Sequence, residues 1–113
     1  MSNIYSDPED FGLVILKEFD LAEEYEFHKF VFWGRPADGQ IFYASDGGCS
    51  CPTPFEDYEG LDSLTRLGDG EQERHEAAFK TWAAEESREI EAGELLEGVK
   101  IIGDYYREKE KKR

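Results

Sequence analysis

The chain has 113 residues, room for one domain and little more, and carries 27 acidic against 13 basic residues for a formal charge of −14. That balance excludes a body that binds nucleic-acid phosphates or an anionic membrane directly, and no stretch reaches the roughly 18 apolar residues a bilayer span needs. An aromatic share of 14% excludes an acidic disordered chain, which is poor in such residues.

In chain order, Met1 to Asp10 shows neither a basic n-region nor an apolar h-region, so no signal peptide is expected. Leu13-Val14-Ile15-Leu16 is a β-branched apolar run after Gly12, and it predicts a buried strand over 13–19. The strongest strand signal is 25–33. Tyr25, Phe27, Val31 and Trp33 fall on one face; His28, Phe30 and Phe32 fall on the other. Apolar groups on both faces predict a central strand. Gly34 to Gly39 predicts a turn, with Asp38-Gly39 supplying the left-handed position. Alternation resumes over 40–45, so the three segments read as an antiparallel meander.

Gly47, Gly48, Pro52 and Pro54 argue against regular structure between them. Leu61 to Leu67 predicts a short helix capped by Asp62 and ended by Gly68. Further on, Asp69 with Gln72 resembles a capping box. His75, Phe79, Trp82 and Glu86 make one helical stripe, with Ala78 and Ala83 beside it. Leu95, Val99, Ile102 and Tyr106 make a second, flanked by Leu96. At about 100° per residue, Phe79 and Val99 point roughly 200° apart, so one straight helix cannot bury both against one sheet. The pattern predicts two helices within 70–87 and 93–110, with a break between Ser87 and Gly93. The expected fold is α+β: a small antiparallel meander of three or four strands, then C-terminal helices on one face. It forms a single domain over 1–113, frayed at 109–113.

Charge is uneven. Residues 1–60 hold 13 acids and 3 bases, whereas 61–113 hold 14 acids and 10 bases. Cys49 and Cys51, the only cysteines, are too close to staple a fold, so reduced thiols and a cytoplasmic setting are expected. Thiolates select soft metals, and His28 or His75, Asp46 or Asp57 would have to complete such a site. The usual arrangement has two separated ligand pairs, and only one is present, so Cys49, Cys51, His28 and His75 are weak candidates and no cofactor is expected. A redox pair leaves two residues between its cysteines, not one. A nucleophilic cysteine needs a neighbouring histidine and an orienting group, and no such set is evident. The segment 47–58 instead reads as a surface loop stiffened by its prolines. Phe55 and Tyr58 are its aromatic anchors, ringed by Glu56 and Asp57, a composition suited to a basic partner.

The run from Ile41 through Ala44-Ser45-Asp46-Gly47-Gly48-Cys49-Ser50-Cys51-Pro52-Thr53-Pro54-Phe55-Glu56-Asp57-Tyr58 resembles a signature of small uncharacterised proteins of actinobacteria and their bacteriophages. The likeness spans about Leu13 to Leu64. It implies an actinobacterial or phage origin and supplies no activity. The leading expectation is therefore a non-enzymatic, phage-encoded acidic protein acting in the host cytoplasm. It would bind a host protein, or a second copy of itself, through a basic surface, with no direct nucleic acid and no membrane among its partners. The alternatives are a small metal-binding or catalytic domain at Cys49 and Cys51, and a DNA mimic that inhibits a DNA-binding protein.

Overall fold

The computed structural model describes residues 4–20, 26–49, 63–68, 71–84 and 92–111. They fall into two compact units, 1–66 and 67–113.

The first unit is a four-stranded antiparallel sheet in the order β1-β2-β3-β4. Its strands are β1 (Val14–Asp20), β2 (Glu26–Arg35), β3 (Gln40–Cys49) and β4 (Thr65–Arg66). A 3-10 turn, Pro8–Phe11, precedes β1. Gly12 follows it at φ 73°, which an L side chain adopts only under strain. This closes the turn and lets Leu13 N–H donate to the Pro8 carbonyl.

β2 is central, as the two-faced pattern predicts. On one face Val31 and Trp33 join Phe42 and Ala44 of β3, with Ile4, Leu13 and Leu64 completing a buried cluster. Trp33 Nε1 donates to the Ile4 carbonyl at 2.9 Å, so the N-terminal segment is pinned over the sheet by a bond that removes the indole's burial penalty. On the other face Phe19, Phe30, Phe32 and Tyr43 are buried. Phe30 stacks on Tyr43 with centroids 5.3 Å apart, and Phe19 meets Phe32 edge-on at 6.2 Å. The β2–β3 turn is shorter than the expected Gly34–Gly39, because Gly34 and Arg35 stay in the ladder opposite Ile41 and Gln40, and Gly39 takes φ 74°. Arg35 grips Asp38 through Nε–Oδ1 and Nη2–Oδ2 bonds of 3.0 and 2.7 Å.

Three further expectations need correction. β3 does not stop at Ser45. It pairs through Asp46, Gly47 and Gly48 to Cys49, because β2 begins at Glu26 and supplies ladder partners that far. The strength of a partnered ladder outweighs the weak strand preference of glycine. Thr65–Arg66 pairs with Phe42–Tyr43 as β4 rather than continuing a helix. A β-branched Thr beside an open edge of β3 favours this. Gly68 does take a left-handed φ, 103°. Finally, Val14, Ile15 and Leu16 are not buried: they are 45, 37 and 47% exposed. An unbroken apolar run looks the same in a covered strand and in an edge strand; strand order decides which it is.

The second unit holds α1 (Gln72–Ala84) and α2 (Ala92–Lys111). The expected helix pair is present, and α2 runs one residue past the expected end. Of the break expected between Ser87 and Gly93, residues 87–91 lie outside the described residues while Ala92 and Gly93 already belong to α2; the Asp69 cap lies outside them too. Of the first stripe His75, Phe79, Trp82 and Ala83 are buried, while Ala78 is exposed. Phe79 stacks on Trp82 with centroids 5.8 Å apart. A Cβ at Gly98 would lie 2.3 Å from Phe79 Cε2. On one straight helix residues 79 and 98 would be about 28 Å apart at 1.5 Å per residue, so their contact independently requires a helical hairpin. In the second stripe Ile102 is fully buried, Leu95, Val99 and Tyr106 are half-buried, and Leu96 is exposed. The Tyr106 hydroxyl accepts from Gly68 N–H at 3.0 Å, tying the start of the unit to α2.

Candidate interaction surface

The sequence-predicted residues separate. Cys49 ends β3, opposite Glu26, while His28 pairs with Gly47. His75 lies in the helical unit, buried, with its ring stacked on Tyr106 at 6.2 Å and 29°. Its ring face is committed to the α1–α2 contact. Cys51, Phe55, Glu56, Asp57 and Tyr58 lie outside the described residues. Among the described residues no group of three or more His, Cys, Asp or Glu is placed to hold a metal ion, and no helix is long and apolar enough to cross a membrane.

Two features escaped the sequence reading, and both involve β1. One is a polar group that fixes the strand. Tyr5 donates its hydroxyl to Glu18 Oε1 at 2.5 Å. Lys29 Nζ pairs with the same Glu18 oxygen and with Asp20 Oδ2, the latter at 2.8 Å. The Lys29 ammonium also lies 5.5 Å from the Tyr5 ring centroid. Burial alone would lower the Lys29 pKa, but the hydrogen bonds to Asp20 and Glu18 outweigh it and the pKa is raised. The Tyr5 phenol is raised too, first by burial and then by the Glu18 carboxylate beside it. At working pH this group is therefore a charged lysine between two carboxylates with a protonated phenol, a structural tie and a poor acid or base. A lone lysine between aromatic neighbours in β2 was its signal in the sequence.

The second feature is the edge itself. β1 is the outermost strand and pairs with β2 from Val14↔Gly34 to Asp20↔Lys29. The register slips between Ile15 and Lys17, so Leu16 is the extra residue of a bulge. It folds over Gly34, where its side-chain carbons come within 3.1 Å of the position a Cβ would take. Any larger residue at 34 would push Leu16 away. The strand thus offers an apolar half, Val14 to Leu16, and a charged half, Lys17 to Asp20. The Lys17 ammonium is turned along its own strand, 5.6 Å from the Phe19 ring centroid.

No curated protein and no solved structure matches the chain. A family model described as a domain of unknown function, DUF7574, matches residues 2–104, nearly the whole sequence whose fold is set out above. The chain belongs to that family.

Proposed function

We propose that the protein is a non-enzymatic binding protein, encoded by a phage or an actinobacterial host and acting in the cytoplasm, whose partner is a host protein with a basic surface. The observation that carries this reading is the placement of charge. Residues 1–60 hold 13 acids against 3 bases, and two of those bases are already spent inside the unit, Lys29 on Glu18 and Asp20 and Arg35 on Asp38. The sheet unit therefore presents a strong negative field, which speeds encounter with a basic protein and repels phosphates.

The test is chemical crosslinking in actinobacterial lysate at low and high salt, followed by reconstitution with the purified partner. The expected result is a basic partner whose affinity drops as salt rises. A partner that is itself a DNA-binding protein, released competitively by duplex DNA, would move the assignment to a DNA mimic. Binding that is indifferent to salt would overturn the electrostatic reading.

A second reading is a metal site at the open end of the β2–β3 ladder, where the backbone register sets Cys49 opposite Glu26, two residues from His28. Metal analysis of untagged protein tests it. Stoichiometric zinc that is lost in Cys49→Ser would favour it over the leading reading.

A further inference from the structure

We draw no further inference here: the strongest candidate, the exposed apolar surface patch of Val14, Ile15 and Leu16 at the start of β1, carries none because nothing in the structure shows what covers it.

Discussion

The sheet unit and the helical unit solve the problem of a small core in different ways. The sheet buries bulk: Trp33, Phe30 and Phe32 lie almost wholly out of water on two faces of one strand. The helical unit has fewer large groups and relies instead on close approach, with Phe79 seated where α2 has no side chain, at Gly98. The first strategy is sensitive to what is removed. The second is sensitive to what is added.

Two substitutions sharpen that contrast, and they carry the largest effects. Trp33→Ala should cost about 3–5 kcal/mol, since it empties a large volume and leaves the Ile4 carbonyl without its indole donor. Chemical denaturation reads this directly, and a loss under about 1 kcal/mol would mean that the cavity collapses freely. Gly98→Ala adds one methyl group and should still cost about 1–3 kcal/mol, because the ring it strikes is fully buried and stacked on Trp82. The natural control is Gly103→Ala in the same helix, where the nearest atom, Gln72 Nε2, is 3.6 Å away. There the better helix propensity of alanine should raise stability by about 0.5–1 kcal/mol. Equal effects at the two glycines would remove close approach as the principle of the helical unit.

Next in size is the tie within the sheet unit. Lys29→Met keeps the apolar stem and deletes the charge, leaving Glu18 and Asp20 without their shared cation. A loss of about 1–2 kcal/mol is expected, dominated by the half-buried Glu18. The pairing is worth most while Lys29 is charged. Its pKa is raised, so the contribution is fully present below the ordinary lysine value and fades only as pH rises through the higher folded value. The difference between wild type and Lys29→Met should therefore be constant from about pH 6 to 9. A difference that fades between pH 6 and 9 would contradict the raised pKa.

The fold was legible where local chemistry and tertiary placement agree. The period-two alternation of 25–33, the Asp38-Gly39 turn and the phase mismatch of Phe79 and Val99 each have one structural solution, and the sheet and the helix pair follow from them. Pairing was not legible. Whether Gly47 and Gly48 lie in a ladder depends on how far β2 extends backward, and whether Thr65 begins a strand depends on the free edge of β3. The same holds for the surface. Val14 to Leu16 looks like core until β1 is placed at the edge, and Lys29 looks like a solvated lysine until the register sets it against Asp20. Of the segment chosen as the interaction site on composition, Gly47 to Tyr58, the first three residues belong to β3 and the rest lies outside the described residues, whereas the apolar run taken for core is the exposed one.

The smallest expected effect belongs to the turn that joins β2 and β3. Asp38 is exposed, and its carboxyl is held down to about 2, first by the Arg35 guanidinium and then by the Gln40 N–H. A carboxyl depressed in the folded state contributes stability that is complete above its unfolded value, near about 4. That contribution is lost as pH falls through the folded value. Asp38→Asn keeps an oxygen for the Gln40 N–H, 3.1 Å away in the wild type, and removes the charge that Arg35 grips. Melting temperatures of the two proteins should thus differ slightly at pH 6 and converge as pH is lowered from about 5 to about 2. High salt should narrow the gap at pH 6, because an exposed ion pair is screened. A gap that persists unchanged at about pH 2 would show that the asparagine disturbs the turn itself, and that the Arg35–Asp38 charge pair adds nothing to the hairpin beyond its hydrogen bonds.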